Sequence, residues 1–268
     1  MWCNACYAHL FFLPELYCIL MSLFSKLSTS LRFYASLAVI GIIFLALDAG
    51  SFLLRHALPE GPKRRKIGQA WLCFMARLAV RYLEAAGILE CDLAQLNTLK
   101  NIPNIILVAN HPSRLDSLIL ASALPHLVCV TKASIWERPT LGSTLRTAGY
   151  IRHDSLLRLI GPASERLKEG NQLLLFPEGT RSRAGTEPSP MQPGFAAIAQ
   201  RTRLPVQTLL IKTDSPYLSQ GWPFLKQPPL PMRYQIQTGP HFPAPARDEA
   251  SGRALLEAVE SWLKDHLA

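Results

Sequence analysis

The stretch IILVANHPSRLDSLILASA, residues 105–123, contains an apolar run, a polar turn and a second apolar run. The five residues of the first run are too few for a helix and predict a strand buried on both faces. The second run predicts a helix over residues 117–123 that ends before Pro125. His111 and Asp116 lie in the turn between the two runs, and layered α/β folds gather their active residues in such turns.

Strand and helix patterns alternate along the rest of the chain. Short apolar runs predict further strands over residues 127–131, 172–176, 206–212 and 234–238. Helical spacing of apolar residues predicts helices over residues 67–83, 156–169, 195–202 and around 255–263. This order predicts one α/β domain over residues 67–268, with a mixed sheet flanked by helices.

Composition restricts the class of partner. The 268 residues carry a formal net charge of +9 and a mean hydropathy of +0.14, and 49% of them are hydrophobic. A basic chain can bind nucleic acid, an anionic membrane surface or an anionic substrate. Because the sequence contains no zinc-finger spacing, no basic region with heptads and no aromatic RNA-binding signature, we expect no nucleic-acid partner.

The N-terminal region predicts a membrane anchor. Phe33 to Leu54 form an apolar stretch of 22 residues with one charge, Asp48. At about 1.5 Å per residue it would reach roughly 33 Å, which is enough to cross the hydrocarbon core of a bilayer. A spanning helix and a re-entrant or in-plane hairpin both stay open. Residues 1–20 differ in character from the rest of the chain, and we expect translation to begin at Met21.

The charges around this stretch predict its orientation. After Met21 it is preceded by Lys26 and Arg32, and it is followed by Arg55, Lys63, Arg64, Arg65 and Lys66. The positive-inside bias therefore predicts that the following domain lies on the cytoplasmic face of the inner membrane. We interpret residues 1–66 as an anchor and a basic juxtamembrane segment. The basic run either binds anionic head groups or forms an ordinary solvated surface.

His111 and Asp116 have the residue types of a general base. If the turn brings the Asp116 carboxylate back to the imidazole, the carboxylate accepts a hydrogen bond from one ring nitrogen and raises the basicity of the other. Such a pair activates a hydroxyl group without a protein nucleophile. Taken alone, the spacing also fits an incidental histidine beside an aspartate that caps a helix.

A second polar turn follows another apolar strand. The stretch LLLFPEGTRSR, residues 173–183, places Glu178, Gly179, Thr180 and Arg181 at a strand end. A flexible glycine, a permanently charged guanidinium and backbone N–H groups together form a receptor for a phosphate monoester. A general base and an anion cradle at the strand ends of one sheet are more specific together than either motif alone.

These two motifs resemble those of the lysophospholipid acyltransferases of the 1-acylglycerol-3-phosphate acyltransferase type. The family blocks Asn-His-x4-Asp and Phe-Pro-Glu-Gly-Thr-Arg-Ser are complete here, as Asn110-His111 with Asp116 and as residues 176–182. The resemblance covers roughly residues 67–240. It implies an α/β fold on a membrane-embedded helical anchor, in agreement with the pattern of elements.

The resemblance also implies a set of substrate ligands. A short form of the family's middle block runs from Gly149 to His153 and contains Arg152, and a lysine of many relatives corresponds to Lys132. The substrate-binding residues implied in this way are Asn110, Lys132, Arg152, Glu178, Gly179, Thr180 and Arg181.

The implied reaction moves a fatty acyl group to the free hydroxyl of a lysophospholipid, with 1-acylglycerol 3-phosphate as the first choice. His111 would remove the hydroxyl proton, Asp116 would orient His111, and the alkoxide would attack the thioester of acyl-CoA or acyl carrier protein. No metal, cofactor or covalent enzyme intermediate is expected. Another lyso-lipid or a specialised lipid-like acceptor stays open, as does a membrane lipid-binding protein that has lost catalysis.

Overall fold

The computed structural model describes the backbone of residues 5–181 and 190–267, and the side chains of Tyr17, residues 20–181 and residues 190–267. Ser182, the last residue of the second motif, lies outside these ranges. Within them the chain forms eight α-helices and one sheet of seven strands.

One mixed sheet forms the centre of the fold. Its strands are β1 (Leu89–Asp92), β2 (Ile105–Ala109), β3 (Leu127–Lys132), β4 (Ile151–His153), β5 (Gln172–Leu175), β6 (Val206–Thr213) and β7 (Met232–Phe242). They lie in the order β1-β7-β6-β2-β5-β3-β4, and the neighbouring pairs are parallel except β6 with β7. The carboxyl ends of β6, β2, β5, β3 and β4 therefore share one edge.

Helices cover both faces of this sheet. They are α1 (Ala5–Ala57), α2 (Pro62–Ala85), α3 (Leu115–Ala123), α4 (Ala133–Trp136), α5 (Pro139–Thr147), α6 (Leu156–Lys168), α7 (Gly194–Thr202) and α8 (Glu249–Leu267). The first group, α1, α2, α3 and α5, packs together, and α6, α7 and α8 form a second group. Every residue of β2 and β5 is buried. The predicted fold class, a mixed sheet flanked by helices, is confirmed.

Several short elements were not predicted. The strands β1 and β4 have four and three residues, and α4 and α5 add a helical connection between β3 and β4. Such short runs carry too little periodicity to be recognised, and β4 forms because residues 151–153 pair with residues 130–132 of β3. β7 extends beyond the predicted range of 234–238, because it pairs with β6 along most of its length.

One face of the apolar helix α1 packs against the rest of the protein. Phe33, Ser36, Leu47 and Ser51 recur at helical spacing and are buried, whereas Leu45 and other apolar residues between them are exposed. The segment Leu20–Ala57 is long and apolar enough to cross a membrane. α1 is therefore a candidate anchor that also contributes one face to the protein core.

The charged residue of α1 has a partner in the domain. The Asp48 carboxylate accepts a hydrogen bond from the Thr144 hydroxyl on α5 at 3.0 Å. Asp48 thus points to the protein, and this relieves the cost that an unpaired carboxylate would have in lipid.

The helix α2 begins earlier than predicted. Pro62 opens it, in the first-turn position where a proline loses no hydrogen bond, and the helix runs through residues 66 and 67. The basic run of residues 63–66 is therefore the first turn of a helix that packs on α3. The predicted domain boundary between residues 66 and 67 falls inside this helix.

Candidate active site

The two predicted motifs meet at one edge of the sheet. Asn110 and His111 follow β2, and residues 176–181 follow β5. These strands are parallel neighbours, with Val108 paired to Leu175, so their carboxyl ends lie side by side. The sequence places the motifs more than sixty residues apart, and the sheet register brings them together.

His111 and Asp116 form a hydrogen-bonded pair. Nδ1 of His111 lies 2.8 Å from Oδ2 of Asp116. The backbone N–H of Ser113 donates to the same oxygen, also at 2.8 Å. The Asp116 side chain is fully buried in the first turn of α3, whereas the His111 side chain is 18% exposed. The buried carboxylate holds the ring, and the other ring nitrogen, Nε2, is left for a substrate.

The environment of Asp116 opposes its ionisation. Complete burial raises the pKa of the Asp116 carboxyl above its ordinary value. The hydrogen bond from His111, the Ser113 N–H and the positive charge of Arg181 act in the other direction and favour the carboxylate. The carboxylate form of Asp116 therefore depends on these three contacts, and the hydrogen bond to Nδ1 of His111 is one of them.

Two residues of the second motif hold the histidine. The ring of Phe176 stacks on the imidazole, with centroids 4.0 Å apart and planes 15° apart. Oε1 of Glu178 accepts a hydrogen bond from the backbone N–H of His111 at 3.1 Å. Glu178 itself is buried. These contacts couple the turn after β5 directly to the position of the base.

The side chain of Asn110 is bonded to a neighbouring strand. Its amide nitrogen donates to the carbonyl of Ile211 at 2.8 Å, and its amide oxygen accepts from the N–H of Ile211 at 2.7 Å. Asn110 is 1% exposed. The side chain thus continues the pairing of β2 with β6 by one residue and positions the backbone that leads to His111.

Arg181 connects the site to a third loop. Its Nη1 donates to the carbonyl oxygens of Leu218 and Ser219 at 2.7 and 2.8 Å. Partial burial lowers the pKa of Arg181, as does the nearby charge of Arg114, while Asp116 raises it. Arg114 was not singled out from the sequence, although it lies inside the first motif, and its charge adds to the same edge.

Gly179 and Thr180 shape the turn between these residues. Gly179 has a positive φ of 64°, and a Cβ there would lie 2.7 Å from Nε2 of Gln192. A side chain at this position would be strained, and the Gln192 side chain would have to move. Thr180 is partly exposed beside it. The glycine therefore allows the turn to fold back against residue 192.

Lys132 and Arg152 lie farther from the base. In the strand order β2-β5-β3-β4 they stand at the ends of the second and third strands away, which is roughly 10 and 14 Å at the usual strand spacing. Lys132 is exposed. The guanidinium of Arg152 bonds to Asp154 at 2.6 Å and to Glu137 at 3.0 Å. The structure thus brings Arg181, and not Arg152, next to His111.

Tyr234 was missed by sequence reasoning. It is 1% exposed on β7, close to Asp116, Ser113 and Thr213, and burial raises the pKa of its hydroxyl. A tyrosine in an apolar strand carries no sequence signal of such a neighbourhood, because β1, β7 and β6 must first assemble. In the ranges that the structure describes, no group of three His, Cys, Asp or Glu residues could hold a metal ion.

A family model described as Acyltransferase matches residues 92–212 of the chain. The 1-acyl-sn-glycerol-3-phosphate acyltransferase of Pseudomonas aeruginosa is 27% identical over 224 residues, which cover 81% of this chain and 83% of that protein. The protein of the same description from Helicobacter pylori is 30% identical over 112 residues, and this match covers 40% of this chain and 47% of the relative's length.

A solved structure has a similar fold. The crystal structure of the 1-acyl-sn-glycerophosphate acyltransferase PlsC from Thermotoga maritima matches 89% of this chain and 95% of that one, with a TM-score of 0.61 and 20% identity. At this identity the match shows the fold. Both predicted motifs lie within the part of the chain that the family model covers.

Proposed function

Because a family model described as Acyltransferase matches residues 92–212, and the chain is similar to enzymes named for 1-acyl-sn-glycerol 3-phosphate, we propose that it belongs to this family and acylates the free hydroxyl of this lysophospholipid to give phosphatidic acid. One observation carries the proposal: the His111–Asp116 pair, at 2.8 Å, beside the turn that contains Arg181. A base and an anion receptor on adjacent strand ends suit an acceptor that has both a hydroxyl and a phosphate.

The first step is removal of the acceptor's proton. Nε2 of His111 takes the hydroxyl proton while Nδ1–H remains bonded to Asp116. The acceptor oxygen then attacks the thioester carbonyl carbon, so that a C–O bond forms. As the tetrahedral intermediate collapses, the C–S bond breaks, and the thiolate takes the proton from the imidazolium. Thiol and ester are the products, and His111 returns to its neutral form.

The acceptor phosphate binds at the turn after β5. Nη1 of Arg181 is bonded to the Leu218 and Ser219 carbonyls, so the guanidinium is held in place and can direct its other N–H groups at a phosphate. Thr180 lies in this turn and Lys132 lies at the end of the neighbouring strand β3, and we propose that both contribute to binding the acceptor. The proposed effect on the substrate is indirect for three residues. Asn110 and Glu178 position the backbone at His111, and Gly179 allows the turn after β5. Arg152, predicted as a further acceptor ligand, lies three strands from β2 and is paired with Asp154 and Glu137, so we assign the main role to Arg181.

The acyl donor is a thioester of coenzyme A or of acyl carrier protein. The net charge of +9 suits the phosphates of the former and the acidic surface of the latter. We further propose that α1 anchors the protein in the inner membrane with the domain on the cytoplasmic face, where lysophospholipid and donor meet.

The test is product analysis with the purified full chain in detergent. The protein is incubated with 1-acylglycerol 3-phosphate and either acyl-CoA or acyl carrier protein, and products are identified by mass spectrometry. Formation of phosphatidic acid with one donor supports the proposal. Transfer to a different lyso-lipid alone would replace the acceptor, and no transfer with either donor would reject the proposal.

A matched variant separates enzyme from contaminant. His111→Ala should lower the rate of product formation by about 10²–10⁴, whereas His241→Ala, which removes an exposed histidine of β7, should leave it unchanged. Product formed equally by wild type and His111→Ala would show that the activity does not use the proposed base.

A further inference from the structure

An arginine-lined cavity lies beside the edge strand β4. Its volume is about 530 Å³, and its walls come from the end of α1, the start of α2, the end of α5, β4 and α6. Seven of the described residues that line it are arginines, against two acidic residues, Glu60 and Asp154. His111 and Arg181 are not among the lining residues, so this cavity lies apart from the His111–Asp116 pair, although Arg152, the most distant of the predicted acceptor ligands, is part of its wall.

Three of these arginines are neutralised within the protein. Arg166 bonds to Glu169 at 2.6 Å, and Arg65 bonds to the same carboxylate. Arg152 is paired with Asp154 and Glu137. The aliphatic stem of Arg65 also packs on Gly149, whose positive φ of 73° and lack of a Cβ make room for it. These side chains form a fixed wall and leave little charge for a ligand.

The other arginines have few partners. Among the residues that the structure describes, Arg55 and Arg158 make no ion pair. Nη1 of Arg146 donates to the Trp136 carbonyl at 2.8 Å, but Nε of Arg146 is buried without a partner. Partial burial and the approach of Arg55 lower the pKa of Arg146. The Asp48 carboxylate acts in the other direction. Like charges around buried, unused N–H groups therefore favour a bound anion beyond this one carboxylate.

Arg64 and the start of α2 add to this field. Nε of Arg64 is also buried without a partner, and its contact with Glu60 is long, 3.5 Å, to a carboxylate that is 85% exposed. The first turn of α2 contains no acidic residue, and Gly61 offers no side-chain cap. The positive end of the helix dipole therefore reinforces the arginines.

We propose that this cavity binds the phosphate group of an anionic membrane phospholipid. Guanidinium groups from several elements suit a phosphate, which presents several acceptor oxygens at once. The position favours a lipid source, because Arg55 lies in the last turn of the apolar helix α1 and two exposed leucines, Leu53 and Leu157, adjoin the cavity's arginines in sequence. Coenzyme A carries the same phosphate chemistry, and the experiment separates the two sources.

The experiment measures binding rather than activity. The full-length protein in a non-ionic detergent is titrated by calorimetry with short-chain phosphatidic acid, short-chain phosphatidylcholine or coenzyme A. The test variant is Arg55→Gln with Arg158→Gln, which removes two arginines without leaving an acidic partner unpaired. The matched control is Arg201→Gln with Arg247→Gln, two exposed arginines that do not line the cavity.

We expect phosphatidic acid to bind and the test variant to bind it at least about tenfold more weakly, the usual effect of losing a hydrogen bond to a charged group. The Arg201/Arg247 control shows whether a loss of binding comes merely from the lower net charge. Phosphatidylcholine shows whether the lipid binds merely through its apolar chains. If coenzyme A binds in a way that depends on Arg55 and Arg158 and phosphatidic acid does not bind, the cavity is a phosphate site for coenzyme A, and the phospholipid ligand is rejected.

The proposal is independent of the proposed catalytic function. His111→Ala and Arg181→Ala should bind phosphatidic acid at the cavity as the wild type does, even if both are inactive. Equal affinity of wild type and the Arg55/Arg158 variant for every phosphate ligand would overturn the proposal, as would an equal loss in the Arg201/Arg247 control.

Discussion

The strand-end site and the arginine cavity differ in how their side chains are held. At the strand ends the main side chains have fixed partners: Oδ2 of Asp116 is bonded to His111 and Ser113, and Arg181 is bonded to two carbonyls. In the cavity, Arg55 and Arg158 lack ion pairs with described residues. The difference matches the two proposed roles, because a proton transfer needs atoms held to a fraction of an ångström, whereas a head group is attracted by the number of charges around it.

The largest expected effect comes from removing the base. His111→Ala should lower kcat by about 10²–10⁴, the usual contribution of a positioned general base. Asp116→Ala should lose a similar factor, and the double variant little more, because the two side chains act as one unit. Steady-state kinetics of the single and double variants test this. Losses that multiply in the double variant would mean that the two residues act separately.

A smaller effect should distinguish Arg181 from Arg152. Arg181→Ala should lower kcat/KM for the acceptor roughly 10- to 150-fold, because a charged hydrogen-bond donor contributes about 1.5–3 kcal/mol. Arg152→Ala should cost less, since Arg152 is exposed and already paired with Asp154 and Glu137. Each substrate is varied in turn. A larger loss for Arg152→Ala would place the acceptor phosphate at β4 and merge the two regions.

Hydrolysis of the acyl thioester by water is the control for Arg181. Water has no phosphate, so this side reaction should be much less affected than transfer to the acceptor. Arg181→Lys keeps the charge but loses the planar fork, and some acceptor affinity should survive. If Arg181→Ala slows transfer and hydrolysis equally, its bonds to Leu218 and Ser219 are its main contribution.

Asp116→Asn should change how the stability of the protein depends on pH. Burial raises the pKa of Asp116 above 3.8, so the folded protein binds this proton more tightly than the unfolded chain. The resulting stabilisation is complete below pH 3.8 and is lost as pH rises through the folded pKa. Since asparagine does not titrate, the melting temperature of the variant relative to wild type should increase with pH over that window. A constant or falling difference for Asp116→Asn would contradict the expectation.

The smallest effect is expected from residues 1–20. A protein that begins at Met21 should be as active and as membrane-bound as the full chain, because these residues carry none of the proposed chemistry. Activity and membrane sedimentation are measured side by side. Loss of either would mean that the first twenty residues support the anchor or one of the two sites.

The sequence by itself determined the elements that local pattern encodes. Residues 105–109 are apolar and too short for a helix, which predicts a buried strand, and the polar residues directly after it include the proposed base. The turn at Glu178 to Arg181 was recognisable for the same reason: glycine, a carboxylate and a guanidinium follow an apolar strand. The resemblance to acyltransferases and the α/β fold could be predicted because these strings are contiguous, and spacing within about ten residues can be read without knowledge of the fold.

Only the tertiary structure decided which long-range partner each side chain has. Asn110 was predicted to bind substrate, but it bonds to Ile211, 101 residues away, because β6 lies beside β2 in the sheet. Arg152 was predicted as a substrate ligand from its place in a family motif, but its strand, β4, lies three strands away from β2, which leads to His111. The arginines of the cavity come from five elements, and α1 has one face on the domain. Sheet order and helix packing set these neighbours, since they depend on burial of apolar surface across the whole chain and not on any local string.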